Sequence, residues 1–300
     1  MPSVSVVVLG ASGMLGSTVV RRLRARQASW RVDGAARDYP AAFRLDAEAG
    51  RSDLRRILLP ARYDVVINCV GALKSAIDPR RTETVERAVR VNAVFPHELA
   101  DVAGEAQSRV IHVSSDAVFS GRHAGPYSEQ TSPDPADAYG MTKALGESTA
   151  PNVLNVRCSV VGRDRRGRGL VDWYLAVATD RSVSGYADYI WTPVTSVQFA
   201  DFCEVLIRSG FSSVRACAHV VHFAPNASLS KAEFLMRLRG VAGRGAAIEP
   251  RSSPEGPRRR ILTSAWTTET PLARSNRDWP DLIAEMLAEF APGADLTTND

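Results

Sequence analysis

"VSVVVLGASGMLGS" (residues 4–17) decides the fold. Its apolar, β-branched run Val4–Leu9 reads as a buried strand, and "MLGSTVVRRLRARQ" (14–27) carries helical periodicity. Gly10, Gly13 and Gly16 stand between and within the two. A strand that turns on glycine into a helix brings unpaired N–H groups and a partial positive charge to the strand's end. Missing side chains allow the tight turn, close backbone approach to a pyrophosphate, and close helix–strand contact. The pattern predicts a dinucleotide turn at the top of an N-terminal βαβ unit, with Gly10, Ser12, Gly13, Met14 and Leu15 around the ligand. The G-x-x-G-x-x-G spacing differs from the G-x-G-x-x-G of ordinary dehydrogenases.

Outward from this turn the chain alternates. "WRVDGAAR" (30–37), "YDVVINCVG" (63–71), "SRVIHVSS" (108–115) and "NVLNVRCSVVG" (152–162) read as strands, and "ETVERAVRVNAVFPHELADVAGEA" (83–106) as a helix interrupted before Pro96. Continuous apolar strands separated by helices predict an α/β fold, a Rossmann-type doubly wound parallel sheet. After residue 162 the texture changes to a basic loop, "GRDRRGRG" (162–169), and the aromatic helix "LVDWYLAVATD". A helix over 195–210, a strand in "AHVVHFA" (218–224) and a last helix "WPDLIAEMLAEF" follow. The expected layout is a cofactor domain over 1–162, with 195–224 packing back onto it. Residues 163–194 and 225–300 then form a smaller C-terminal α/β substrate lobe.

With 45% apolar residues, 300 residues suffice for a sizeable core. The 37 basic and 33 acidic residues give a net charge of +4, which is no nucleic-acid signature. Cys69, Cys158, Cys203 and Cys217 show no C-x-x-C pair or nearby histidine at ligand spacing, so reduced thiols are expected, with no metal site. No apolar run has membrane length and "MPSVSVVVLG" lacks a positive charge before its apolar stretch, so a cytoplasmic protein is expected.

The second strand ends at Arg37, followed by Asp38. A guanidinium there favours a 2′-phosphate and hence NADPH; the adjacent carboxylate leaves NADH open. Asp46 is placed to meet the adenine amine. Cys69, Val70 and Gly71, ending "VINCVGALKS" (66–75), pass under the cofactor, with Lys74 or Ser75 reaching its ribose or diphosphate.

"DAYGMTKALGE" (137–147) places Tyr139 and Lys143 one helical turn apart, after a loop, "TSPDPAD", whose prolines no helix crosses. Asp137 is the expected cap. Reducing a ketone leaves an alkoxide that needs a proton; a phenol can give it, provided a nearby ammonium lowers a pKa that is ordinarily ~10. Ser114 and Ser115 supply hydroxyls at a strand terminus, and such termini carry the sites of parallel sheets.

This set resembles the extended short-chain dehydrogenase/reductases. "SSDAVFSGRHAGPYSEQTSPDPADAYGMTKALGE" (114–147), with "VLGASGMLG", "VINCVGALK" and "VNAVFPHELA", is similar to the dTDP-4-dehydrorhamnose reductase family over the first 160 residues or so. The resemblance makes Tyr139 the proton donor, Lys143 its partner and Ser115 the carbonyl-polarising hydroxyl. It gives Asn92 a proton-relay water or a helix bend. It implies an NADPH-dependent reductase of a nucleotide-activated 4-keto-6-deoxysugar in deoxysugar or glycan biosynthesis. Candidate substrate contacts are Lys74, Asp116, Val118, Arg163 and Trp191. Arg165, Arg166, Arg168, Trp173 and Arg258–Arg260 are weighed against plain surface or core roles. The family's Thr-Asp-Tyr is here Ser115-Asp116-Ala117, so the sugar pocket differs. Ala117 also stands where a 4,6-dehydratase has Glu, which disfavours dehydration. Epimerisation uses the same Tyr–Lys pair and stays open. So does a cofactor-binding regulatory role like that of the methionine adenosyltransferase β subunit. A homodimer through a four-helix contact is expected by analogy.

Overall fold

The computed structural model describes residues 4–39, 43–123, 125–164, 166–211, 219–264 and 277–289. In chain order the elements are β1 (Ser5–Leu9), α1 (Met14–Arg26), β2 (Arg31–Ala35), α2 (Arg51–Ala61), β3 (Val65–Asn68) and α3 (Thr82–Ala88). A π-helical segment (Val89–Val94) leads into α4 (Phe95–Glu105), then β4 (Arg109–Val113), α5 (Ala138–Leu145), β5 (Val153–Arg157) and β6 (Ser159–Val161). The remainder is α6 (Leu170–Ala176), β7 (Ser182–Tyr186), β8 (Tyr189–Trp191), β9 (Pro193–Thr195), α7 (Ser196–Arg208) and β10 (Val220–His222). Last come β11 (Leu229–Ser230), α8 (Lys231–Ala242), β12 (Ala247–Arg251), β13 (Arg258–Arg260) and α9 (Trp279–Ala288).

A six-stranded parallel sheet in the order β2-β1-β3-β4-β5-β10 forms the centre. Side chains alternate along a strand, so a run apolar at every position must be covered on both faces. Val6 and Val8 pack with Val19 and Leu23 of α1 and Phe199, Phe202 and Leu206 of α7. Val7 and Leu9 pack with Leu54 and Leu58 of α2 and Phe95, Leu99 and Val102 of α4. A separate core joins Tyr174 of α6, Phe234 and Leu238 of α8, and Leu282, Ile283 and Met286 of α9. Beside it lie the pairs β7–β12 and β6–β9 and a three-stranded sheet, β11-β8-β13.

Two expected elements differ in detail. "NVLNVRCSVVG" is two strands: β5 stays in the main sheet, and beyond Cys158 the chain leaves it so that β6 pairs with β9. The helical interruption before Pro96 is the π-helical segment, after which α4 starts with proline in its first turn, where a missing N–H costs nothing. Among the described residues no helix is long and apolar enough to cross a membrane, and no group of residues suits a metal ion. Cys69, Cys158 and Cys203 are free thiols; Cys217 lies outside the described residues.

Candidate active site

The glycine turn closes the end of β1. Gly10 sits at φ +81°, and a Cβ there would stand 2.9 Å from the carbonyl carbon of Cys69; one on Gly16 would overlap the Gly10 carbonyl oxygen. The turn is held by the Gly13 N–H donating to the Gly10 carbonyl at 2.9 Å. Bare backbone therefore faces a cleft at the strand ends. One half, a cavity of about 300 Å³, runs from Ser12 past Ala36, Arg37, Leu45 and Asp46. The other, of about 390 Å³, holds Met14, Leu15, Ser114, Ser115, Tyr139 and Lys143. Both share Gly13, Cys69, Val70 and Gly71, so they form one elongated trough with the turn at its middle. A trough of this shape, with glycine where a Cβ would intrude, fits a dinucleotide.

Helix α5 sets the chemistry. Asp137 caps it, its carboxylate accepting from the Gly140 N–H at 2.8 Å. A Cβ on Gly140 would overlap the carbonyl oxygen of Ala117, so the helix rests directly on the turn Asp116–Val118. Ser115 caps that turn, accepting from the Ala117 N–H at 3.1 Å. This contact sets the Tyr139 phenol beside the Ser115 hydroxyl in the wall of the trough. Burial pushes Tyr139 up to about 12; the Ser115 hydroxyl opposes the rise, while Asp116, Cys158 and Asp137 add to it.

Lys143 is buried below, its ammonium donating to the Val113 carbonyl at 2.7 Å. Burial lowers it to about 8, with Glu147 pulling the other way. The expected depression of the tyrosine by this lysine is therefore not what the geometry gives. The groups that act most strongly on Tyr139 are its hydroxyl neighbour and nearby acids, and the ammonium is held by the floor of strand β4.

Glu147 anchors a buried network. It accepts from the Ser114 hydroxyl at 2.6 Å and from Arg157 at 2.8 and 2.6 Å. Ser114 thus lines the trough with its hydroxyl already engaged. Asn92 is likewise engaged: it accepts from the Ala72 N–H at 2.8 Å and donates to the Ala72 carbonyl and the Thr142 hydroxyl. It pins the loop after β3 to α5 through the backbone of Ala72 and the Thr142 hydroxyl.

Several expected substrate contacts lie elsewhere in the structure. Val118 is fully buried with Phe119, Tyr127 and Leu262, and is core. Trp191 is buried edge-on to Phe234. Arg163 is paired with Asp172 at 2.6 Å, and Lys74 with Asp137 at 3.0 Å on the exposed rim, leaving Leu73 and Ser75 in the wall. From the basic loop it is Arg166 and Arg168 that line the trough; Arg165 lies outside the described residues. Arg166 also pairs with Asp38, so the carboxylate beside Arg37 is neutralised. Asp116 is buried next to Ser115, and its charge acts on Tyr139, Tyr189, Lys231 and Arg260. Sequence reasoning missed Cys158, Ser159 and Val160 as trough wall, because only the departure of β6 from the sheet exposes them there.

Residues 4–291 match the RmlD substrate binding domain family. The chain is 28% identical over 306 residues to a probable low-salt glycan biosynthesis reductase, Agl14, of Haloferax volcanii, covering 95% of this chain and 97% of that protein. It is 27% identical over 300 residues to a dTDP-4-dehydrorhamnose reductase of Mycolicibacterium smegmatis, covering 94% and 85%. In fold it resembles the dTDP-4-dehydrorhamnose reductase of Bacillus anthracis, solved in complex with NADP, at TM-score 0.80, 20% identity and 96% and 99% coverage. The trough with Tyr139 over Ser115, and a match that runs nearly end to end, place this chain in the RmlD substrate binding domain family.

Proposed function

We propose that this protein is an NADPH-dependent reductase of a nucleotide-activated 4-keto-6-deoxysugar. The observation that carries the reading is the gathering of Ser115, Tyr139 and Lys143 at one end of a trough whose middle is the glycine turn. When bound, the nicotinamide supplies the hydride.

The chain's own residues do the rest. The Gly10–Gly13 backbone and the α1 N-terminus receive the pyrophosphate. Arg37 is exposed at the far end with no carboxylate at ion-pair distance among the described residues, and is suited to a 2′-phosphate. Tyr139, with a pKa near 12, is fully protonated at neutral pH and so can donate to a keto oxygen. As that oxygen gains charge the phenolic proton passes to it, and the Ser115 hydroxyl holds it in place. Segments 163–194 and 225–300 supply the substrate side, a reading supported by their separate core around Tyr174, Phe234 and Leu282. Exposed Val89, Val94, Met141 and Leu145 support a homodimer through the α5 side.

The test is NADPH oxidation against a panel of dTDP-, UDP- and GDP-linked 4-ketosugars. The reading expects one NADPH consumed per ketosugar reduced; conversion with no net NADPH loss would show an epimerase instead.

A further inference from the structure

The turn between β6 and α6 is held by two buried carboxylates. Asp172 of α6 accepts from the Arg163 side chain at 2.6 Å and from the Asp164 N–H at 2.5 Å. Asp164 accepts in turn from the Arg166 N–H at 3.0 Å and from the Arg168 guanidinium at 3.1 Å. The Gly167 N–H closes on the Asp164 carbonyl at 2.8 Å. The backbone at Arg166 is thereby tied to α6, whose Tyr174 belongs to the second core.

From this seat the Arg166 side chain reaches into the cavity that Ser12 and Arg37 also line. It donates to the Asp38 carboxylate, 128 residues away in the chain, and to the Ser12 hydroxyl at 3.5 Å. Glu48 in the same wall is answered by Arg87 at 3.0 Å. A carboxylate that follows the second strand accepts the free 2′-hydroxyl of an adenosine ribose and repels a 2′-phosphate, whereas arginine takes the phosphate. This chain has both, side by side, so Arg37 and Asp38 together leave the choice open. What decides it is the group that holds Asp38. The side chains of Arg166 and Asp38 are 40% and 53% exposed, and an ion pair that open adds little to folding stability. Its effect falls on whatever occupies the cavity.

We propose that Arg166 tilts the cofactor preference of this chain toward NADPH by masking the Asp38 carboxylate, so that Arg37 meets a 2′-phosphate with no bare negative charge beside it. This rests on the dinucleotide reading of the trough. Arg166 is a positioning residue that acts through Asp38; the phosphate itself is met by Arg37. Cofactor choice is then set partly from the substrate side of the fold, by a side chain seated on α6.

The test titrates NADP⁺ and NAD⁺ separately into the full chain by calorimetry, for wild type, Arg166→Gln, Asp38→Asn and the double variant. The readout is the ratio of the two dissociation constants, which needs neither sugar nor turnover. Arg166→Gln is expected to weaken NADP⁺ binding ~10-fold or more, the loss of one charge-assisted contact beside a phosphate. NAD⁺ binds it as before or more tightly, because Asp38 is free to accept the ribose 2′-hydroxyl. In the double variant there is no charge left to mask, and NADP⁺ recovers most of its wild-type affinity. Equal losses for both dinucleotides in Arg166→Gln would make the turn a prop of the trough as a whole. That result, an unchanged ratio, or no recovery in the double variant overturns the proposal while the reductase reading stands. A wild type that prefers NAD⁺, with the ratio moving further toward NAD⁺ in Arg166→Gln, sinks the NADPH reading and keeps the role of Arg166. No binding of either dinucleotide by the wild type overturns both.

Discussion

Replacing Gly140 by alanine separates what helix propensity predicts from what the site requires. Inside an exposed helix, alanine is worth ~1 kcal/mol over glycine. At Gly140 the added methyl would overlap the Ala117 carbonyl oxygen and stand 3.0 Å from the Cβ of Pro135. One obstacle is backbone and the other a ring, so neither swings aside, and α5 must lift off the turn. Overpacking of this kind costs ~1–3 kcal/mol, which cancels the propensity gain and leaves a net loss of about 0–2 kcal/mol. The lift also parts Tyr139 from Ser115, and a displacement of ~1 Å at a reacting centre can cost ~10²-fold in rate. Urea unfolding followed by circular dichroism reads the first effect and NADPH oxidation the second. Gly240 in α8 is the control, because a Cβ there meets nothing within 4 Å, so Gly240→Ala should be neutral or stabilising. If Gly140→Ala gains stability as the control does and turns over normally, α5 does not rest on the Ser115 turn and the account of the site is wrong.

Three further outcomes follow from the same geometry. Glu147→Gln leaves Arg157, 5% exposed, without its counter-charge, and should lower the unfolding free energy by ~3–5 kcal/mol; a change below ~1 kcal/mol would show that the pair carries no such weight. Burial holds Lys143 down to about 8, so its ammonium is lost as pH rises through that value. The same depression means that between about 8 and the ordinary lysine value the unfolded chain binds more protons; the Lys143 contribution to stability therefore rises with pH across this window, and Lys143→Met should remove that slope from pH-dependent unfolding curves. Arg37→Ala should raise KM for NADPH ~10-fold or more with NADH little affected, because one charge-assisted contact to a 2′-phosphate is lost; an equal effect on both cofactors would refute that role.

The parts of this architecture set by local rules were legible in the sequence. The apolar run before Gly10 requires a covered sheet, and the glycine turn is a backbone requirement that no distant contact can override. Asp137 as cap followed from two prolines ahead of a helical pattern, and its carboxylate does cap the Gly140 N–H. What was not legible depends on where separate segments meet. The strand break at Cys158 is invisible because β6 is as apolar as β5, and only pairing with β9, thirty-odd residues on, draws it away. Val118 and Trp191 look like pocket side chains in one dimension, yet Tyr127, Leu262 and Phe234 close over them. Ser114 and Asn92 carry polar groups of the right kind, and their side-chain donors are already given to Glu147 and to Ala72 and Thr142.

The central claim is that Tyr139 protonates a keto oxygen while a nicotinamide reduces its carbon. Its most direct test is reduction of dTDP-4-keto-6-deoxyglucose with NADPH carrying deuterium at both nicotinamide C4 positions, by wild type and by Tyr139→Phe. The account predicts one deuterium at the former keto carbon per NADPH oxidised, and a rate ~10²–10⁴-fold lower in the variant with NADPH still bound at wild-type affinity. Unlabelled product, or undiminished deuterium transfer by Tyr139→Phe, would contradict it.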